Sequence, residues 1–114
     1  MFKIIDQNNE LVAYLHKNLI LLPEEFEVAG VILGQCVFGA NGGLKGKYFH
    51  KTLYSVEGEK IGEQTDQPYY HQLDNSGVLQ KTWQLLQKIK NHNSPWITPK
   101  ESWAPANLSE FLCQ

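Results

Sequence analysis

The side chains best suited to chemistry gather in one stretch, Asp66-Gln67-Pro68-Tyr69-Tyr70-His71-Gln72. Two phenols beside an imidazole can give and take hydrogen bonds and protons around a small ligand. The stretch is expected to be a loop joining a β-rich first part to a helix, and loops on rigid scaffolds are where sites usually lie. Tyr69, Tyr70 and His71 are therefore candidate ligand or interface residues. The competing reading makes them a tyrosine-rich edge that packs the helix on the sheet, in keeping with the amphipathic habit of tyrosine. Trp96 and Trp103 stand in a tail punctuated by Pro95, Pro99 and Pro105. Either both rings pin that tail to the core, or they form an oligomer interface or an aromatic groove.

Other chemistries find little support in the residue types. His16, His50, His71 and His92 show no metal-ligand spacing, and Cys36 and Cys113 form no Cys-x-x-Cys pair, so no metal is expected. Cys36 with His50 or His71 would make a thiol–imidazole pair, but it lies in no nucleophile motif, and a free cysteine is usually a buried hydrophobe. The acids at Glu24, Glu25, Glu27, Glu57 and Glu59 fall where turns are expected, which makes them solvated loop residues rather than an acid/base couple. Gly39, Gly42, Gly43 and Gly46 precede neither a Gly-Lys-Ser/Thr run nor a helix, so they make no phosphate loop. Lys45 and Lys47, with Lys51 nearby, read as a solubilising face. No catalytic residue and no cofactor are expected, and the balance leans against an enzyme.

The composition narrows the class further. The chain has 114 residues, enough for one domain and too few for two of ordinary size. With 42% hydrophobic and 19% charged residues it resembles a folded globular protein and not a disordered one. Its basic residues are all lysine, and a formal charge of -2 without any arginine argues against nucleic-acid readout. No apolar run approaches the roughly 20 residues of a membrane helix, and the first residues lack the features of a signal peptide. A cytoplasmic protein that binds neither membrane nor nucleic acid is the expectation.

These side chains must be positioned by a run of hairpins. Ile4 to Ala13, Val37 to Gly46 and Leu53 to Gly62 align without gaps, each opening on two apolar residues and closing on a small one. Asn41-Gly42 predicts a type I′ turn, with positive φ at both central positions. Asn8-Asn9 tolerates that geometry less well, and Glu57-Gly58 suits a different turn. Two-residue loops would set Ile4 opposite Ala13, Val37 opposite Gly46 and Leu53 opposite Gly62. A large aliphatic residue facing a missing side chain leaves room for close packing, so the hairpins are expected to pack around a common centre. Asn41, Gly42, Gly46, Gly58 and Gly62 are the turn and packing residues of this scheme.

The segments 18–22 and 28–33 read as two more strands, and a reversal near His50-Lys51 makes 30–63 an antiparallel meander. Such a run of strands must roll up or find a partner to hide its edges. From Val78 to Lys90 the residues Val78, Leu79, Trp83, Leu85, Leu86 and Ile89 form one apolar stripe, predicting an amphipathic helix within 75–92 that covers the sheet. Asn107-Leu108-Ser109-Glu110 has the form of a capping box opening a short last helix. The expected fold is one α+β domain, mainly β, over 1–114. It comprises an antiparallel hairpin meander or small barrel-like sheet over 1–65, the helix, and an extended tail with a short helix over 95–114.

Hairpins running from Val37-Phe38 to Gly46 and from Leu53-Tyr54 to Gly62, followed by Trp103 and Leu108 to Leu112, resemble those of small bacterial four-fold beta-flower domains. PRC-barrel-like domains share the Gly-x-x-x-Gly hairpin and are similar in the same region. The first hairpin has Asn9 and Ala13 where the pattern has glycine. The resemblance implies a fold and no activity. Two functions follow as expectations: a non-enzymatic module that forms a homo-oligomer or binds a protein partner, and alternatively a small-molecule binder or weak enzyme built on Tyr69, Tyr70 and His71.

Overall fold

The computed structural model describes residues 1–24, 26–68, 75–90, 96–105 and 108–113. Eight short strands succeed one another: β1 (Phe2–Ile5), β2 (Leu11–His16), β3 (Leu19–Leu21), β4 (Val28–Leu33), β5 (Cys36–Gly39), β6 (Leu44–Phe49), β7 (Thr52–Ser55) and β8 (Lys60–Pro68). Each pairs antiparallel with its neighbour in the chain, and β8 returns to pair with β1, closing a barrel. The mainly-β, barrel-like expectation is met. Closure gives every strand two partners and so removes the free edges that a meander otherwise exposes.

The expected pairs Ile4–Ala13, Val37–Gly46 and Leu53–Gly62 are all present. The turn that produces them differs from the type I′ turn expected at Asn41-Gly42. Gly42 has φ of 82°, whereas Asn41 is not among the residues with positive φ. Gly42 N–H donates to the Gly39 carbonyl at 3.0 Å, and Gly39 N–H donates to the Gly43 carbonyl at 2.9 Å. This is a type I turn followed by one left-handed residue. Asn9 and Gly58 take the same place in their hairpins, with φ of 61° and 90°. One extra residue on each returning strand, at Val12, Lys45 and Ile61, then shifts the register back to the expected pairs. Turns with positive φ at both central residues occur instead between hairpins, at Lys17-Asn18 and His50-Lys51.

The β3–β4 hairpin completes the set, with Ile20 opposite Gly30 and the register shift at Ala29. Ile4, Ile20, Val37 and Leu53 thus face Ala13, Gly30, Gly46 and Gly62 in one layer. An eight-stranded barrel is only wide enough for side chains to fill it, so four large residues fit where their partners are small. Two residues further along the returning strands, and on the same face, are Leu15, Ile32, Tyr48 and Gln64. Leu15 and Ile32 are buried, and Tyr48 packs against the same core. The Tyr48 hydroxyl donates to Gln64 Oε1, and burial raises the phenol above its usual pKa.

Two helices use opposite surfaces of the barrel wall. In α2 (Leu108–Cys113), Leu108 and Leu112 join the interior cluster with Ile4, Ile20 and Val37. Ala40 N–H donates to the Leu112 carbonyl at 3.1 Å, so α2 closes the end of the barrel that carries the β5–β6 turn. The helix α1 (Asn75–Lys88) lies outside, where Leu85 and the following Ile89 pack on Val31, Cys36 and Phe38. It ends earlier than the expected stretch, against Gly42: a Cβ there would sit 2.6 Å from the Lys88 carbonyl. Asp74, His92 and Asn107, expected near helix ends, lie outside the described residues.

The apolar stripe of α1 is not all cover. Leu79 and Trp83 are 66% and 64% exposed, whereas Leu85 and Ile89 are buried. The side of α1 that carries Leu85 and Ile89 docks on β4 and β5, and the side that carries Leu79 and Trp83 faces away.

Candidate functional site

A concavity built by described residues lies outside the barrel, where the tail crosses β6. Lys47 and Phe49 are two residues apart on β6 and so share a face. Tyr54 is the cross-strand partner of Lys47, and its ring stacks on Phe49 with centroids 4.8 Å apart and planes 28° from parallel. Gln35, in the β4–β5 turn, contributes from the side. Trp96, Ile97 and Pro99 form the opposite wall, enclosing a cleft of about 310 Å³. Lys47 is 9% exposed, so its aliphatic stem is packed, and it was wrongly expected on a solvated face with Lys45. The bulge at Lys45 breaks the alternation between them.

Gly58 holds the tail in place. A Cβ on Gly58 would lie 2.0 Å from the Thr98 carbonyl oxygen, so only glycine admits this approach, and its φ of 90° demands glycine independently. Lys100 N–H donates to the Gly58 carbonyl at 2.9 Å. Further on, Lys60 N–H donates to the Ser102 carbonyl and Ala104 N–H to the Lys60 carbonyl, both at 2.9 Å. The tail therefore runs as an added strand beside the start of β8, with Lys60 and Trp103 as its parallel bridge.

The two candidate tryptophans have different environments. Trp103 is half-buried, with Lys60 Nζ 6.0 Å from its ring centre. Burial works against the charge on Lys60, but Glu63 and Glu101 outweigh it and hold the amine above its usual range. Trp103 fits the anchoring alternative. Trp96 does not, since it is 86% exposed and the buried residue beside it is Ile97. Its indole Nε1–H donates to Thr98 Oγ1 at 3.2 Å, which fixes the ring at the cleft wall.

Tyr69, Tyr70 and His71 lie outside the described residues. The stretch that leads to them is not all loop, because Asp66, Gln67 and Pro68 continue β8, and the hairpin region reaches beyond 65. Asp66 accepts a 2.6 Å bond from Lys51 across the neighbouring turn, and that bond holds its carboxyl below the usual range. Asn41, Gly42, Gly46, Gly58 and Gly62 all occupy turns or close approaches.

Sequence reasoning missed Gln35, Lys47 and Phe49 as companions of Trp96. The Lys-x-Phe spacing and the facing Tyr54 were visible signals, but nothing local says that the tail crosses that face.

A smaller hollow of about 180 Å³ separates α1 from the β3–β4 hairpin, lined by Val28, Ala40, Gln84 and Lys88 among others. A 3.4 Å ion pair between Lys81 and Glu27 spans this side of the helix. Among the described residues no group of three His, Cys, Asp or Glu side chains is arranged to hold a metal ion. No helix among them is long and apolar enough to cross a membrane. Comparison with family models, curated proteins and solved structures finds no match to this chain.

Proposed function

We propose that this chain is a non-enzymatic module that self-associates, with the outer stripe of α1 as its contact surface. The observation that carries the reading is the exposure of Leu79 and Trp83, one helical turn apart, on a helix already anchored by Leu85 and Ile89. Tryptophan is among the side chains enriched at the energetic centres of interfaces. Gln80 and Gln87 flank the stripe without charge, while Lys81 and Lys88 lie toward the barrel-side hollow. Two copies related by a two-fold axis bring the same patch against itself, and an uncharged patch does so without like-charge repulsion. The eight strands pair in a closed ring, so the reading rests on the helix face and not on strand addition. The arrangement of four hairpins supports kinship with the beta-flower domains, and that kinship adds no activity.

The contact is small, so weak association is expected, well below the roughly 1,200 Å² typical of stable interfaces. Sedimentation from micromolar to millimolar concentration should give a rising mass for the native chain. Trp83→Glu should remain a monomer with an unchanged melting temperature. A native chain that stays monomeric at the highest concentration overturns the reading.

A further inference from the structure

We propose that the cleft between β6 and the tail binds a small planar aromatic monoanion, of the arene carboxylate class. This inference does not rest on the self-association reading, since α1 contributes no residue to the cleft.

The shape comes first. A volume of about 310 Å³ lies at the low end of the roughly 300–1,000 Å³ range of ligand sites, which suits one or two fused rings. Two of its lining residues, Phe49 and Trp96, are aromatic. Phe49 is already oriented by stacking on Tyr54, and Trp96 is held by its bond to Thr98, so both rings are presented before any ligand arrives. Offset stacking on such rings favours a planar π-system over a branched aliphatic one. Trp96 is 86% exposed, which leaves its ring accessible to a ligand.

The charge comes second. Lys47 lines the cleft with its stem buried, and among the described residues its ammonium has neither a hydrogen bond nor an ion pair. No side-chain nitrogen among them is fully buried without a partner, so this ammonium is not sealed from solvent. A lone cation beside apolar walls matches one negative charge. It does not match a phosphate ester, which calls for several donors or a bidentate guanidinium, and the chain has no arginine. Gln35 adds an amide at the side, able to donate to a carboxylate oxygen.

The test uses the full chain, with 2-naphthoate as the probe and 2-naphthamide as its uncharged counterpart. The three indole N–H signals, followed by NMR and assigned with single Trp→Phe variants, report where each compound binds. Saturable movement of the Trp96 signal by 2-naphthoate is expected, with weaker binding of the amide. Lys47→Met should weaken the naphthoate about tenfold, the loss of one charge pair, and leave the amide unchanged. Trp96→Ala, at an exposed position that the fold does not depend on, should weaken both. The proposal fails if no Trp96 movement saturates at millimolar probe, if the movement centres on Trp83, or if Trp96→Ala binds the naphthoate like the native chain. It also fails if a folded Lys47→Met does not discriminate the two compounds differently from the native chain.

Discussion

A Cβ placed on Gly46 would lie 1.8 Å from the carbonyl oxygen of Tyr54 on the neighbouring strand. The β6 and β7 backbones are therefore drawn together at Gly46, which pairs with Ser55 on one side and Val37 on the other. Gly46→Ala must push a strand of the closed barrel outward, and a loss of at least about 1–3 kcal/mol is expected. Gly77, on the exposed side of α1, has nothing within 4 Å of its added Cβ. Gly77→Ala should instead stabilise by up to about 1 kcal/mol through helix propensity. Urea unfolding of the two variants checks the contrast, and equal effects would contradict the packing described.

Leu112 shows the weight of the short C-terminal helix. Its side chain is fully buried beside Gly30 and Ile20, inside the barrel and not on its surface. Leu112→Ala leaves a void that the surrounding strands cannot collapse to fill, and about 2–5 kcal/mol of stability should be lost. Leu79→Ala removes the same atoms from an exposed site and should stay within about 0.5 kcal/mol. Denaturant midpoints that rank the two variants the other way would show that α2 does not plug the barrel.

His16 predicts a dependence on pH. Burial, then the N-terminal ammonium and Lys17, lower its pKa below the ordinary 6.5. The unfolded chain therefore takes up this proton at a higher pH than the folded chain does. The contribution to stability is full above the unfolded value and declines as pH falls from there toward the folded pKa. His16→Asn should lose less stability than the native chain between about pH 7.5 and pH 5.5, the range in which an ordinary histidine titrates. Identical losses in the two proteins would mean that the folded state does not disfavour the imidazolium.

Much of the barrel was legible in the chain because strand pairing is governed by local rules. Ile4, Val37 and Leu53 announce their small partners through sequence spacing alone, since a hairpin brings nearby residues together. The type I turn at Asn41-Gly42 escaped because its bulge at Lys45 restores the same register that a tighter turn would give. Lys17-Asn18 and His50-Lys51 adopt positive φ without any glycine, held there by the strands on either side. The sequence also determined that a helix with an apolar stripe follows the strands, and that a tryptophan-bearing tail comes last.

Tertiary structure alone decided where those later parts go. Nothing periodic in Leu108 to Leu112 distinguishes a helix lying on the barrel from one inserted into its end. The difference is made by Gly30 and Gly39, which clear a space for Leu112. Burial of Leu85 and exposure of Trp83 likewise follow from which side of α1 meets Val31, Cys36 and Phe38, not from the stripe itself. The cleft depends on the same kind of distant agreement. Lys47 and Trp96 line one cleft because Gly58 has no side chain to hold the tail away, and fixing the tail there costs chain entropy that only the assembled barrel offsets. Local sequence sets which residues share a strand face; long-range packing sets which faces meet.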